Sequence, residues 1–169
     1  MTHRFRNRWW TDALRGAIAG AAATWLMDQV TTAQLEAQSE ETTRREQAAQ
    51  PNGKSSVANL VDRIETRFGL VLDDQQRAAA AQAVHYGLGI VPGAAYAVLR
   101  PRVPLVGSGR GVGYGIALWA SNDVYAHAAL GLSGPVDAYP MKTHRRGLIG
   151  HVVLGGATDT VIALLGSRG

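Results

Sequence analysis

The stretch GVGYGIALWASNDVYAHAALGL (residues 111–132) decides how this chain is read. Its first half is uncharged and rich in glycine, and its second half carries Asn122, Asp123 and His127 in an otherwise apolar helix-like run. Small residues recur every four positions, at Gly111 and Gly115, and the same row continues to Trp119, Asp123 and His127. Residues four apart share one helix face. Small residues at that spacing let two helix backbones approach closely, as in membrane helix pairs. Asp123 and His127 therefore lie on a face that meets other helices. Turning Asp123 to lipid instead would cost at least about 2.5–3.5 kcal/mol.

Three other segments repeat the pattern. With 109–132, the runs 13–35, 78–99 and 147–165 are each near the roughly 20 residues that cross a hydrocarbon core. The first aligns Gly16, Gly20, Thr24 and Asp28; the second aligns Ala81, His85, Gly89 and Gly93; the last aligns Gly147, His151, Gly155 and Asp159. The 20 glycines sit largely inside these runs. Each would cost a water-exposed helix on the order of 1 kcal/mol relative to alanine, whereas membrane helices use glycine for packing. Little alternation is present, so no strand is expected. The expectation is one all-α domain over residues 1–169, a multi-pass transmembrane four-helix bundle. Its packing lines are Gly16, Gly20, Gly89, Gly93, Gly111, Gly115, Gly147 and Gly155.

Composition bounds the function. The mean hydropathy of −0.05 averages apolar runs with one very polar connection. The net charge of +4 is not gathered on one stripe but at segment ends, in THRFRNR, RPR and KTHRR. That placement suits lipid headgroups, with Lys142, Arg145 and Arg146 as an interfacial anchor, and it argues against nucleic acid. Trp9, Trp10, Tyr96 and Tyr139 also fall near segment ends, where amphipathic rings prefer the interface. There is no cysteine, which excludes disulfides and thiolate metal sites. The N-terminal run resembles a signal peptide, but Arg15 and Asp28 interrupt it, and it is expected to stay as the first helix. Arginines at 4, 6, 8, 15, 100, 102 and 110 place both termini in the cytoplasm by the positive-inside rule.

Residues 36–77 form a polar helical excursion between the first two spans. The first helix is expected to run on until Pro51-Asn52-Gly53 stops it, and Ser55 or Ser56 then caps an amphipathic helix. That helix has Val57, Leu60, Val61, Ile64 and Phe68 on one face, and Asp62, Arg63, Glu65 and Arg67 on the other. It lies on its own bundle, on the bilayer, or against a protein partner.

In an up-and-down topology Asp28, His85, Asp123, His127 and His151 all fall in the membrane half distal to the N-terminus, whichever way the chain inserts. Nitrogen and oxygen donors without sulfur suit a divalent metal such as zinc, manganese, iron or nickel. The same groups suit proton binding and ion handling, since histidine titrates near neutral pH. Two further readings are haem between His85 and His151, and a purely structural cluster in a non-catalytic accessory protein that uses the excursion to meet a partner. Glycine faces left over after bundle formation would support homo-oligomerisation. GSGRGVGYG has no phosphate-loop register and no preceding strand, and no arrangement of a hydrolytic nucleophile is present.

The segments AVHYGLGIVPGAAYAVL, GVGYGIALWASNDVYAHAALGL and RRGLIGHVVLGGATDTVI, in that order, resemble the YagU-like family of small bacterial inner-membrane proteins. The features that carry the likeness are His85 with Gly89, Gly93 and Tyr96; Trp119 with Asp123; Gly131-Leu132; and His151 with Gly155. It spans about residues 78–165, with a looser match at GAIAGAAATWLMD. The resemblance implies a multi-pass protein of the bacterial inner membrane, without an established biochemical activity and with a proposed link to acid tolerance. The long connection 36–77 departs from a compact four-helix version of that pattern.

Overall fold

A computed structural model describes residues 8–166. The arginines at 4 and 6 lie outside the described residues. Among the described residues the chain is helical between its turns and has no strand. Helix α1 (Arg8–Glu36) is followed by α2 (Glu40–Ala49), α3 (Ser56–Phe68), α4 (Asp74–Leu99) and the short α5 (Pro104–Gly107). Helix α6 has three parts: an α-helical Val112–Leu118, a π-helical Trp119–Ala126 and a closing turn His127–Ala129. Helix α7 (Met141–Gly166) ends the described chain.

The polar excursion breaks earlier than its composition suggested. Helix α1 stops at Glu36 rather than running on to Pro51. Ser39 takes an extended conformation and its hydroxyl accepts the Thr42 N–H, with Glu40 and Glu41 in the first turn of α2. An N-cap with acidic residues behind it stabilises a new helix start better than a continuous helix would. Ser55 caps α3 in the same way, and Gly69 closes it in the left-handed conformation. Asp73 and Gln76 form a reciprocal capping box on α4.

The third long helix also starts later than residue 109. Gly109, Arg110 and Gly111 have φ of 68°, 50° and 82°, a turn that no helix passes through. Gly111 is needed twice over, for its positive φ and because a β-carbon there would lie 2.7 Å from the carbonyl carbon of Gly155.

Helix α1 packs along both α4 and α7, and α6 packs along α7. These contacts run backbone to backbone. A β-carbon on Gly93 would lie 2.6 Å from the Gly16 oxygen and 2.9 Å from Gly20 Cα. One on Gly155 would lie 2.8 Å from Gly115 N. Gly20 faces Gly89, Gly115 faces His151 and Val152, and Gly147 faces the Trp119 indole and Asp123. Ala19, Ala23, Ala97, Tyr96 and Leu154 fill the interior beside these seams.

Helices α2 and α3 fold back over the end of this assembly at which α1 ends and α7 begins. Asn59 donates to the Leu132 carbonyl at 3.0 Å, and Arg63 to the Leu130 carbonyl at 2.7 Å. Val61 is buried, but so is Glu65 from the face expected to be polar, because Arg77 meets its carboxylate at 2.9 Å. Phe68, expected on the apolar face, is exposed instead.

One helix among the described residues, α7, is long and apolar enough to cross a membrane by length and composition, with a mean hydropathy of 1.7. The sequence had suggested four such runs, and the residues of the other three explain the difference. Arg15 and Asp28 interrupt α1; His85, Tyr86 and Pro92 lower the hydropathy of α4; and α6 has seven α-helical residues before its π segment.

Candidate functional site

The capped end collects ionisable side chains from α1, α4, α6 and α7. Thr24 fixes the first pair: its hydroxyl donates to the Gly20 carbonyl at 2.8 Å, and it seats against Gly89. One turn further along α1 comes Asp28, and one turn back along α4 comes His85. His85 Nε2 and Asp28 Oδ1 are 2.8 Å apart, each side chain about a third exposed. Tyr86 meets the His85 ring edge-on at 5.8 Å between centroids.

The second group centres on Asp123 in the π-helical part of α6. Such segments are rare and recur at functional sites. Here the His127 N–H reaches the carbonyl of Asn122, five residues back. Asp123 Oδ2 is 3.6 Å from His151 Nδ1, and Oδ1 is 4.0 Å from His127 Nδ1. These are electrostatic contacts rather than hydrogen bonds. His151 Nδ1 lies 3.0 Å from the Gly147 carbonyl, which accepts its proton and leaves Nε2 as the acceptor of the neutral ring. The Asn122 side-chain amide donates to Asp123 Oδ1 at 3.4 Å.

Both groups line one cavity of about 180 Å³, whose walls include Thr24, His85, Asn122, Asp123, His127 and His151. A larger cavity of about 310 Å³ adjoins it under the cap and shares Met27, Ser56, Asp123 and His127 as walls. Glu46, Ser55, Ser133, Tyr139, Thr143 and His144 also line the larger space. Asp28 is not a wall of either cavity and reaches them through His85.

Asp28, His85, Asp123, His127 and His151, expected as metal ligands, stand in two groups, Asp28 with His85 and Asp123 with His127 and His151. Among the described residues, no three such side chains converge so as to hold a metal ion. His85 Nε2 is bonded to Asp28, while Asp123 stands 3.6 Å from His151 Nδ1 and 4.0 Å from His127 Nδ1. Haem between His85 and His151 does not fit either, because the cavity they share is below the roughly 300–1,000 Å³ typical of pockets for much smaller ligands.

Of the expected interfacial anchor, Lys142 and Arg145 are exposed and Arg146 is not. Arg146 turns under the cap, pairs with Glu46 and donates to Gln38 at 2.7 Å. Burial pushes the Glu46 carboxyl upward, but hydrogen bonds from Arg146 and Gln38 pull harder and hold it below the usual carboxylate range. Arg77 likewise holds the Glu65 carboxyl low.

A second polar network lies at the opposite end; the sequence singles out Tyr96, Arg100 and Asp159 separately but does not join them. Tyr96 donates to Asp159 at 2.6 Å, and Arg100 meets the same carboxylate at 3.1 Å. Tyr114 stacks on Tyr96 with ring centroids 4.4 Å apart. The available signal was the four-residue spacing of Tyr96 and Arg100 opposite the last residue of the α7 row. Comparison with protein families, curated proteins and solved structures gives no match for this chain.

Proposed function

We propose that this is a multi-pass protein of the bacterial inner membrane that binds protons in its His/Asp cavity. In this reading α1, α4, α6 and α7 cross the bilayer as a four-helix bundle, with both termini in the cytoplasm and the cap on the far side. Large apolar side chains that face outward support it, among them Leu14, Trp25 and Val91, which are 62%, 57% and 68% exposed. Many large apolar side chains turned outward on the long helices are what contact with lipid or protein would cover. Glycine-to-glycine helix contacts and the likeness to the YagU-like family point the same way.

The observation that carries the proton reading is the single cavity walled by His85, Asp123, His127 and His151, with Asp28 bonded behind His85. Carboxylate–imidazole pairs exchange protons in the physiological range, and ionisable groups within membrane helices are functional by default. The structural alternative is weighed by the same geometry: a cluster that served only to join helices would have no need of space among its members. Residues 36–77 are tied to the exit of α6 through Asn59 and to α7 through Glu46 and Arg146, so a partner of this segment would meet the outer face of the cap.

The test is a histidine-resolved NMR titration of the full chain in lipid nanodiscs. Asp28→Asn should change the His85 ring signals across the pH series and Asp123→Asn those of His151, as each ring loses its carboxylate neighbour. Histidines that titrate identically in wild type and both variants would remove the proton-binding role. Release of the protein from membranes by alkaline carbonate would remove the membrane placement.

A further inference from the structure

The two ends of α7 differ in how they meet water. From His151, two turns along the helix lead to Asp159 and its partners Tyr96 and Arg100. Between these levels Leu154 and Thr158 are buried. Gly155 is pressed against Gly111 and Gly115, where a β-carbon would lie 3.0 Å from Gly115 Cα. On the α1 side the same level is closed by Gly20 against Gly89, beside Ala19 and Ala23. The threonine hydroxyls here are committed within their own helices, Thr24 to the Gly20 carbonyl and Thr158 to the Leu154 carbonyl, and the buried Tyr114 hydroxyl has no hydrogen-bond partner among the described residues to pass a proton to. A proton needs an unbroken series of hydrogen-bonding groups or room for waters to form one, and backbone contacts as close as those at Gly155 and Gly20 leave no such room.

The capped end is the reverse. The larger cavity runs past Ser55, Ser56, Ser133 and Tyr139 and shares the walls Asp123 and His127 with the smaller one. We infer that the cluster exchanges protons with the aqueous phase on the cap side alone, which makes the protein a one-sided proton sensor and not a proton conductor. This inference rests on the membrane placement and proton binding proposed above. The ionisable groups that face the shared space are Glu46 from α2, His85 from α4, Asp123 and His127 from α6, and His144, Arg146 and His151 from α7. Asp28 of α1 acts through His85. Helix α3 contributes no ionisable side chain to the walls; its Ser56 lines both cavities, as the point where the cap meets a change of charge.

The chain has no cysteine, so Ser56→Cys provides a unique handle. The full-length variant is reconstituted in phosphatidylcholine–phosphatidylglycerol vesicles and labelled from outside with a membrane-impermeant, environment-sensitive bimane. Only molecules with the cap outward then carry the dye. Acidifying the exterior should shift the emission, and acidifying the lumen through a permeant weak acid at constant external pH should leave it unchanged. Vesicles loaded with a pH dye should leak protons no faster than protein-free vesicles. An equal response to both sides, or flux above empty vesicles, would overturn the one-sided assignment while leaving proton binding intact. No response from either side would instead remove proton binding at the cluster. The side comparison needs no substitution in the cluster; Asp28→Asn with Asp123→Asn should abolish the shift, and a shift that persists in it would assign the response to other groups.

Discussion

Asn59 joins the cap to the end of α6: its side-chain amide donates to the Leu132 carbonyl at 3.0 Å and also to the carbonyls of Lys54 at 3.1 Å and Pro51 at 3.2 Å. It is buried, and it binds the turn before α3 and the exit from α6 with one group. Asn59→Ala leaves carbonyls without donors in a closed place, at a cost of about 1–3 kcal/mol. Limited proteolysis in detergent should then cut within residues 37–70 well before the long helices are attacked. Asn59→Asp should be worse, since it sets a carboxylate against three carbonyl oxygens. A protease pattern identical to wild type would show that the cap is held by something else.

The glycines of α7 should separate sharply. A β-carbon on Gly155 collides with backbone atoms of α6, whereas one on Gly156 meets nothing within 4 Å. Gly155→Ala should destabilise by about 1–3 kcal/mol, as overpacking of a close contact does. Gly156→Ala should be neutral or stabilising by up to about 1 kcal/mol through helix propensity. Thermal unfolding of both variants in the same detergent tests this, and equal shifts would contradict the packing described.

The Glu46–Arg146 pair makes the cap acid-sensitive. Glu46 in the folded chain titrates below its ordinary value of 4.5. Its contribution is therefore complete above that value and is lost as pH falls through the lower, folded value. Replacing Arg146 by Met leaves the carboxylate poorly paired in a largely closed site, a change worth about 3 kcal/mol. Cap protection, read by hydrogen exchange of α2, should fall on acidification in wild type, whereas Arg146→Met should be less protected already at neutral pH and lose that acid dependence, since the pull of Arg146 on the carboxyl is then gone. Equal protection of both proteins at neutral pH would mean that the pair does not hold α2 in place.

Two stacked tyrosines should respond differently to loss of a hydroxyl. Tyr96 donates to Asp159, so Tyr96→Phe removes a bond to a charged acceptor worth about 1.5–3 kcal/mol. The Tyr114 hydroxyl is buried with no hydrogen-bond partner among the described residues, so Tyr114→Phe should be neutral or stabilising. Thermal melts of the two variants decide the point; a larger loss for Tyr114→Phe would contradict the network.

The spacing rule made much of the helix pairing readable. Gly16, Gly20, Gly89, Gly93, Gly111, Gly115, Gly147 and Gly155 recur at one face, and each meets a neighbouring helix. The rule works because glycine's lack of a side chain is a local property that a single sequence displays. The cap was not readable in the same way. Its polar composition describes a solvated segment equally well, and only long-range bonds such as Arg146 to Glu46 and Asn59 to Leu132 show what it covers. The pairing within the cluster was hidden for a related reason: periodicity places His85 and Asp28 at one level but is silent on whether they bind each other or a third party. The π segment of α6 was equally hidden, since one inserted residue per turn leaves no mark in composition.

The most direct measurement is a count of protons taken up by the full chain in nanodiscs as pH falls from about 7.5 to about 5.5, across the histidine range. The account predicts that wild type takes up more protons than the Asp28→Asn/Asp123→Asn variant and that each single variant lies between them. Equal uptake by all four proteins would contradict it, because the cavity would then not be where the chain holds its exchangeable protons.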